Sequence, residues 1–321
     1  MTVRCVILDD FQGAGAAAMA KHAVDARFSV SHFDSHFDDK QALAAQLAGV
    51  AVIVAIRERT VFDRELLALL PDLRLLITLG MANASIDMDA AREFGITVCG
   101  TRGGGSPTVE MTWALILSAL RRVPEEVTAL RQGTGWQQTI GGDLFGKTLG
   151  LVGLGRVGAG VARVGLAFGM DVLAYTPSLD DARAAELGVR RAADLPQLLG
   201  ESDIVSLHVK LNAATEGMID AKALAQMRDD ALLVNTSRGQ VVDETALIEA
   251  LKTGVIGGAA LDVFDIEPLP GDHPFRKLDN LTATPHLGYV TRDNYRIHFA
   301  DVDANIKAWL DQQPVRVLNG G

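Results

Sequence analysis

Positive charge is sparse in this chain relative to negative charge. Its 321 residues include 30 lysines and arginines against 40 aspartates and glutamates, so the formal net charge at pH 7 is −10. An acidic protein surface repels the phosphates of nucleic acids and of anionic membranes. The composition therefore argues against nucleic acid and against an anionic membrane surface as partners.

Cysteine is also rare, and long apolar runs are missing. Cys5 and Cys99 lie in apolar, strand-like runs, and their spacing suggests neither a metal nor a redox site. We therefore expect no metal, and two buried free thiols in a reducing cytoplasm. No apolar run approaches the roughly 18 residues that span a bilayer, and Asp9 and Asp10 interrupt the first residues too soon for a secretory signal. A soluble, cytoplasmic protein without a membrane partner is the expectation.

Short apolar runs alternate with amphipathic stretches, which is the pattern of parallel βαβ units. The run Gly103-Gly104-Gly105 separates two sets of such units and is interpreted as a loop or hinge. The length fits about two domains. The predicted strands are Cys5–Leu8, Phe28–Val30, Val50–Ile56, Leu75–Thr78 and Ile96–Cys99 in the first set, and Leu149–Val152, Val172–Tyr175, Ile204–Leu207, Leu232–Asn235, Ala259–Leu261 and Leu281–Thr284 in the second; long helices are predicted from Thr108 to about Arg122 and over Arg292–Leu310.

A glycine array follows the first strand of the second set. Gly153, Gly155 and Gly158 form a G-x-G-x-x-G pattern between an apolar run and a helix-like segment. The first glycine permits a tight turn, the second lets a pyrophosphate approach the backbone, and the third lets helix and strand pack closely. The helix that begins near Val157 would direct its N–H groups toward that pyrophosphate. The array predicts a dinucleotide site.

Polar residues follow the other strands of the second set. In an open parallel sheet, ligands bind beyond the carboxyl ends of the strands. The residues at these ends therefore predict one site that combines a phosphate cradle, a cation, a carboxylate and an imidazole: Thr176, His208, Thr236-Ser237-Arg238, Asp262 and His286.

Several longer segments resemble the D-isomer-specific 2-hydroxyacid dehydrogenase family, which includes phosphoglycerate, glycerate and D-lactate dehydrogenases. The resemblance implies an α/β protein of two Rossmann-like or flavodoxin-like domains with parallel sheets and the active site in the cleft between them. It implies a substrate-binding domain over residues 1–103 plus about 293–321, an NAD(P)-binding domain over residues 104–292, and a homodimer. The segments that carry it are GKTLGLVGLGRVG (146–158), SDIVSLHV (202–209), LLVNTSRGQVVDETALIEAL (232–251), AALDVFDIEPLP (259–270), TPHLGYVT (284–291) and TLGMANASID (78–87).

The resemblance also implies a mechanism for hydride transfer between NAD(P)H and a small 2-keto or 2-hydroxy acid. His286 would be the general acid/base, and Glu267 would orient its ring and favour the protonated form. Arg238 would hold the substrate carboxylate and polarise the carbonyl group. Asp262 would lie beside the nicotinamide carboxamide, although an Asp at a strand end often accepts hydrogen bonds from nearby backbone N–H groups.

Further residues are expected to bind the cofactor or the substrate. His208 is expected to line the cofactor site without transferring a proton. The cofactor-binding residues implied by the motifs are Thr108, Gly153, Gly155, Arg156, Val157, Gly158, Thr176, Ser178, His208, Thr236, Ser237, Asp262 and Gly288; the substrate-binding residues are Arg57, Met81, Ala82, Asn83, Arg238 and Tyr289.

The choice between NAD and NADP departs from the usual pattern. An acidic residue about 20 residues beyond the glycines usually binds the adenosine ribose of NAD, but this chain has Thr176 there. Loss of that carboxylate removes its repulsion of a 2′-phosphate, and Thr176 and Ser178 have hydroxyls that can bind one. The sequence thus predicts relaxed selectivity or a preference for NADP.

Two other function classes share this fold. A non-catalytic NAD(H)-binding scaffold or sensor would retain the glycine array, but the intact Arg238, Glu267 and His286 give no reason to prefer it. A formate-dehydrogenase-like relative usually pairs glutamine with the histidine, so Glu267 argues against that branch. A dehydrogenase acting on glyoxylate, hydroxypyruvate or a similar acid is the leading interpretation.

Overall fold

The computed structural model describes residues 2–22 and 25–320. The chain divides into two compact units, which we call the first unit (Met1–Gly104 and Val290–Gly321) and the second unit (Gly105–Tyr289). The chain therefore leaves the first unit after Gly104 and returns to it at Val290.

The first unit contains a five-stranded parallel sheet in the order β2-β1-β3-β4-β5. This is the flavodoxin-like order, in which the chain reverses its direction of winding between β1 and β3. Two of the inner strands, Val52–Ala55 and Leu75–Thr78, are buried along their whole length, because helices cover both faces of a parallel sheet. The strands are β1 (Val3–Leu8), β2 (Phe28–His32), β3 (Val52–Ala55), β4 (Leu75–Thr78) and β5 (Thr97–Cys99).

Aspartates begin several helices of the first unit. The carboxylates of Asp39, Asp63 and Asp87 accept a hydrogen bond from a backbone N–H in the first turn, as N-caps do. The last helix of the chain packs against the first helix and β4. The helices are α1 (Ala14–His22), α2 (Lys40–Gln46), α3 (Arg64–Ala68), α4 (Met88–Glu93) and α12 (Arg292–Leu310), with a 3-10 turn at Arg57–Arg59.

The second unit contains a seven-stranded parallel sheet in the order β12-β11-β10-β9-β6-β7-β8. The order is that of the Rossmann fold, 3-2-1-4-5-6, with β12 as an additional edge strand. The strands are β6 (Thr148–Val152), β7 (Asp171–Tyr175), β8 (Arg190–Arg191), β9 (Ile204–Leu207), β10 (Leu232–Asn235), β11 (Gly258–Leu261) and β12 (Leu281–Ala283).

Aspartate N-caps recur in the second unit, at Asp180, Asp194, Asp220 and Asp243. The helix after β6 differs, since it begins after Gly155 and has no side-chain cap. The helices are α5 (Ser106–Leu120), α6 (Val123–Gln132), α7 (Arg156–Ala167), α8 (Asp181–Glu186), α9 (Leu195–Glu201), α10 (Ala221–Leu224) and α11 (Glu244–Thr253), with 3-10 turns at Gly239–Val241 and Pro274–Lys277.

The predicted strands are confirmed in both sets, with boundaries that differ by a few residues. The prediction missed β8, whose two residues are exposed arginines and give no apolar pattern. It also missed α6, because Arg122 turns the chain with a positive φ of 51° directly after α5.

Cys5 and Cys99 are buried free thiols, as predicted. Burial raises the pKa of Cys5 to about 12 and that of Cys99 to about 11, so both remain protonated. Among residues 2–22 and 25–320, no helix has the length and apolar character needed to cross a membrane. The same residues contain no cluster of three or more histidine, cysteine, aspartate or glutamate side chains suited to a metal ion.

Candidate active site

The glycine array forms the turn between β6 and α7. Gly153 has a φ of +97°, and a Cβ there would stand 2.6 Å from the backbone oxygen of His208. A Cβ on Gly158 would collide with the backbone oxygen of Gly153. At Gly155, by contrast, no heavy atom of the described chain lies within 4 Å of the position of a Cβ. The first and third glycines thus close the turn, while the second leaves open space at the start of α7.

This space fits the pyrophosphate of a dinucleotide. β6 lies between β7 and β9, so its carboxyl end is at the switch point of the sheet, where such ligands bind. The first turn of α7 has no side-chain cap, which leaves its N–H groups and the positive end of the helix dipole for an anion. Arg156 and Val157 are the first residues of that helix.

We expect Gly155→Ala to weaken cofactor binding without destabilising the protein. The backbone at Gly155 (φ −75°, ψ −160°) is open to alanine, so the free energy of unfolding changes by less than about 1 kcal/mol. The added methyl would enter the space assigned to the pyrophosphate, so we expect the Kd for NADH in a fluorescence titration to rise at least about tenfold, or 1.4 kcal/mol.

Two glycine variants serve as comparisons. Gly158→Ala should lower both stability and affinity, because its Cβ meets backbone atoms. Gly271→Ala should change neither, since its Cβ has no neighbour within 4 Å in the described chain. Unchanged NADH affinity in Gly155→Ala would contradict this assignment.

Thr176 and Ser178 follow β7 directly. Thr176 is half-buried, its carbonyl accepts the N–H of Leu179, and Ser178 is exposed. The strand end therefore carries hydroxyls where a carboxylate is usual. Nearby arginines pair with acidic side chains, Arg183 with Glu186 at 2.6 Å and Arg191 with Asp181 at 3.3 Å.

His208 follows β9 beside the glycine turn. Its Nε2 lies 2.9 Å from the hydroxyl of Ser206, and its backbone N–H donates to Val152. Burial lowers the pKa of His208 to about 4, so the ring is neutral at physiological pH. A neutral, packed imidazole suits the predicted role without proton transfer.

Asn235, which the sequence analysis did not single out, orders the loop that carries Arg238. Its amide donates to the carbonyl of Arg238 at 2.8 Å, and its Oδ1 accepts from the N–H and the hydroxyl of Ser237. The guanidinium of Arg238 donates to the carbonyl of Ser237 at 2.6 Å. An asparagine two residues before a polar turn is a common Asx-turn signal, which the motif N-T-S-R-G contains.

Gly239 brings the Arg238 loop against the loop that carries Glu267. A Cβ at Gly239 would overlap the backbone of Phe264 and Asp265. Only glycine permits this approach, so it couples two of the three predicted catalytic residues through backbone contact.

Glu267 and His286 form a short hydrogen-bonded pair. The Nδ1 of His286 lies 2.6 Å from Glu267 Oε2, while Glu267 Oε1 accepts the N–H of Phe264 at 3.0 Å. A carboxylate only accepts hydrogen bonds, so Nδ1 carries a proton and Nε2 is the nitrogen left for a substrate. His286 also has a φ of +52°, a conformation rare for a residue other than glycine and often associated with functional sites.

Asp262 holds the loop of His286. Its carboxylate accepts hydrogen bonds from the hydroxyl of Thr284 (2.6 Å) and from the N–H groups of Leu287 and Gly288 (2.7 Å each). The side chain is buried, which raises its pKa, and the loop hydrogen bonds oppose that rise. The predicted contact of Asp262 with the nicotinamide stays a prediction; the structure adds that the same carboxylate holds the loop of His286.

Threonines of α5 fasten the same region. Thr108 Oγ1 donates to the carbonyl of Gly288 at 3.1 Å, and Thr112 Oγ1 lies 2.9 Å from the hydroxyl of Thr236. The predicted cofactor residues Thr108, Gly288 and Thr236 are thus linked through α5. Thr112 was missed because a threonine inside a helix carries no motif signal.

Tyr289 lies next to the predicted acid/base. Its ring meets the imidazole of His286 edge-on, with 5.3 Å between centroids and an interplanar angle of 82°. This contact fixes one side of the imidazole, in keeping with a residue that shapes a substrate pocket.

The predicted substrate residues of the first unit lie around Gly80. Arg57 donates from Nη1 to the carbonyl of Leu79 at 3.0 Å, and Met81 and Ala82 are exposed. Asn83 is instead buried, and its amide donates to Arg57 O and Thr78 Oγ1 at 2.7 and 2.9 Å. Both N–H groups of Asn83 are thereby used within the loop, so the structure shows a structural role for its amide, and its predicted contact with the substrate stays a prediction.

Comparison with known proteins agrees with this geometry. Residues 113–288 match the family described as "D-isomer specific 2-hydroxyacid dehydrogenase, NAD binding domain". The chain is 38% identical over 301 residues to an (S)-sulfolactate dehydrogenase of Chromohalobacter salexigens, covering 93% of this chain and 96% of that protein. It belongs to the D-isomer specific 2-hydroxyacid dehydrogenase family. The resemblance seen in the sequence is confirmed, and the chain is an oxidoreductase that uses a nicotinamide dinucleotide to interconvert 2-keto and 2-hydroxy acids.

Other relatives show how much of each protein the similarity covers. A D-3-phosphoglycerate dehydrogenase of Archaeoglobus fulgidus is 38% identical over 243 residues, 75% of this chain, but this region is 46% of that longer protein. A phosphoglycerate oxidoreductase structure from Vibrio cholerae superposes with a TM-score of 0.92 at 34% identity, covering 97% of this chain and 100% of the other.

Proposed function

We propose that this dehydrogenase reduces a small 2-keto acid of the glyoxylate or hydroxypyruvate type to the 2-hydroxy acid, with D configuration where C2 of the product is chiral, and that His286, Glu267 and Arg238 are its catalytic residues. The observation that carries this proposal is the 2.6 Å contact between His286 Nδ1 and Glu267. It leaves Nε2 of a partly buried imidazole to exchange a proton with a substrate oxygen.

Side chains of the protein transfer the proton and bind the negative charge of the substrate. The bound nicotinamide supplies the hydride. His286 donates a proton from Nε2 to the carbonyl oxygen in reduction and takes it back in oxidation, while Glu267 stabilises the imidazolium. Arg238 binds the substrate carboxylate through its planar guanidinium. In the first unit, Arg57 and the backbone N–H groups of Met81 and Ala82 are proposed as substrate-binding groups.

A substrate panel tests this function. Oxidation of NADH and NADPH is followed with glyoxylate, hydroxypyruvate, pyruvate and phenylpyruvate, and turnover of at least one acid is expected. Tight binding of NADH without turnover of any acid would instead support the alternative, a non-catalytic NAD(H)-binding scaffold.

Relaxed cofactor selectivity is proposed from the hydroxyls at the end of β7. We expect kcat/KM with NADPH to lie within about tenfold of that with NADH, a difference of 1.4 kcal/mol or less. Thr176→Asp should reduce kcat/KM for NADPH at least about tenfold and spare NADH, because a carboxylate repels the 2′-phosphate. A strong NADH preference in the unmodified enzyme would overturn the proposal.

A homodimer is proposed from apolar side chains exposed around α6 and the segment that follows it. Leu130, Trp136, Ile140 and Phe145 are 63%, 78%, 99% and 83% exposed. Such a group of large apolar side chains suits contact with a second copy of the chain. Light scattering should give twice the mass of 34.2 kDa for the unmodified protein, and a lower mass for Ile140→Glu. A monomer at micromolar concentration would contradict the proposal.

A cytoplasmic location is also proposed. The two free thiols, Cys5 and Cys99, support a reducing compartment.

A further inference from the structure

His298 is a buried histidine of the first unit to which the mechanism above gives no role. It lies on α12 and is 3% exposed. Its Nδ1 lies 2.7 Å from the hydroxyl of Thr101, and its Nε2 lies 3.2 Å from the amide nitrogen of Asn294. Both ring nitrogens thus have protein partners.

The direction of each hydrogen bond follows from one backbone group. The N–H of Gly104 donates to Asn294 Oδ1 at 3.0 Å, so the amide of Asn294 turns its NH₂ group toward His298. An NH₂ group only donates, so Nε2 of His298 must accept and Nδ1 must carry the proton. Burial lowers the pKa of His298 to about 4, which agrees with this single neutral tautomer.

Thr101 connects His298 to the loop at Gly80 by hydrogen bonds. Its hydroxyl oxygen accepts from His298 and from the N–H of Gly80 at 2.9 Å, and its proton points to the carbonyl of Thr78 at 3.3 Å. Gly80 has a φ of +102°, so its backbone conformation needs such support. The Thr101 hydroxyl is entirely buried and holds both the start and the turn of the loop.

The same histidine also packs against the glycine run Gly103-Gly104-Gly105, where the chain passes from the first unit to the second. A Cβ on Gly103 would stand 2.7 Å from His298 Cε1, so the ring packs directly on that glycine. Asn294 holds Gly104 at the same time. Predicted from the sequence as a hinge, Gly103 and Gly104 are attached to α12 by packing and a hydrogen bond.

We propose that His298 and Thr101 are positioning residues for substrate binding: they hold the Gly80 loop so that Met81 and Ala82 present their N–H groups to the substrate carboxylate. This inference rests on the proposed role of that loop. A loop held in its binding conformation before the substrate arrives lowers the entropy cost of binding. The residues should therefore affect substrate affinity far more than cofactor affinity or the chemical step.

The test compares Thr101→Val with Thr101→Ser. Valine keeps the shape but removes the hydroxyl, whereas serine keeps the hydroxyl. With the keto acid that the unmodified enzyme reduces best, KM should rise about tenfold or more in Thr101→Val, while kcat and the Kd for NADH stay within about threefold. Thr101→Ser should restore KM to within about threefold. Oxamate is an analogue of a 2-keto acid that is not reduced. Its Kd for the enzyme–NADH complex should change across the variants by the same factor as KM.

A second pair of variants tests the same inference if Thr101→Val does not fold. His298→Phe keeps an aromatic ring, of somewhat larger volume, and loses the N–H donor, whereas His298→Gln retains an N–H donor. KM should therefore rise in the first variant and partly recover in the second. Unchanged KM in Thr101→Val, or in His298→Phe if the former does not fold, overturns the inference, as does an equal loss of NADH affinity. Absence of any keto acid turnover by the unmodified protein would instead count against the proposed function.

Discussion

Replacement of His286 by alanine should reduce kcat/KM for keto acid reduction about 1,000-fold and leave the Kd for NADH within about twofold. General acid–base catalysis contributes about 10² to 10⁴ in rate, and no other described group takes the place of a nitrogen held by Glu267 at 2.6 Å. Steady-state kinetics with the best keto acid and an NADH fluorescence titration measure the two quantities.

A control for this loss is His32→Gln. His32 is an exposed residue of β2, so its replacement should leave both constants unchanged. Retention of more than a tenth of the activity by His286→Ala would exclude His286 as the acid/base.

Arg238→Lys should lower kcat/KM about 100-fold even though the positive charge is retained. Lysine is a point charge and lacks the planar fork that binds a carboxylate with two parallel hydrogen bonds. Hydrogen bonds to charged groups contribute about 1.5–3 kcal/mol each, so loss of one has this magnitude. The guanidinium also donates a hydrogen bond to the carbonyl of Ser237 at 2.6 Å. A single lysine ammonium group does not make this bond and two parallel bonds to a carboxylate at the same time.

The kinetic pattern distinguishes this role from a structural one. The loss should appear chiefly as a higher KM for the keto acid, with NADH affinity unchanged. Arg228→Lys is the control, because Arg228 is exposed and pairs with Asp230 at 2.9 Å. Equal kinetics of Arg238→Lys and the unmodified enzyme would contradict the assignment.

The sequence was sufficient to predict every strand except β8, together with the residues at the strand ends. Parallel strands buried on both faces are continuous apolar runs, so their ends are visible in the sequence, and polar residues there are brought together by the sheet. For this reason Arg238, Asp262 and His286 could be assigned to one region before any coordinates. Glu267 depended on the family resemblance, because it lies in a loop without a periodic pattern.

Interactions between distant segments could not be predicted. The hydrogen bonds of Asp262 and Asn83 are examples, because their partners, the N–H groups of Leu287 and Gly288 and the carbonyl of Arg57, are positioned only by loop conformation. Likewise, Gly239 is an ordinary turn glycine in the sequence, and only the fold shows its contact with the backbone of Phe264. His298 is separated from Thr101 by almost 200 residues, and a lone histidine in a helix carries no signal of that partnership.

The most direct test of the account is to follow the hydride itself. The enzyme is supplied with NADH that carries two deuterium atoms at C4 of the nicotinamide and with the best keto acid whose product is chiral, such as hydroxypyruvate. The product is examined by mass spectrometry and chiral chromatography. The account predicts a D-2-hydroxy acid that carries deuterium at C2, formed about 1,000-fold more slowly by His286→Ala. An unlabelled product, an L-product, or tight NADH binding with no product would contradict it.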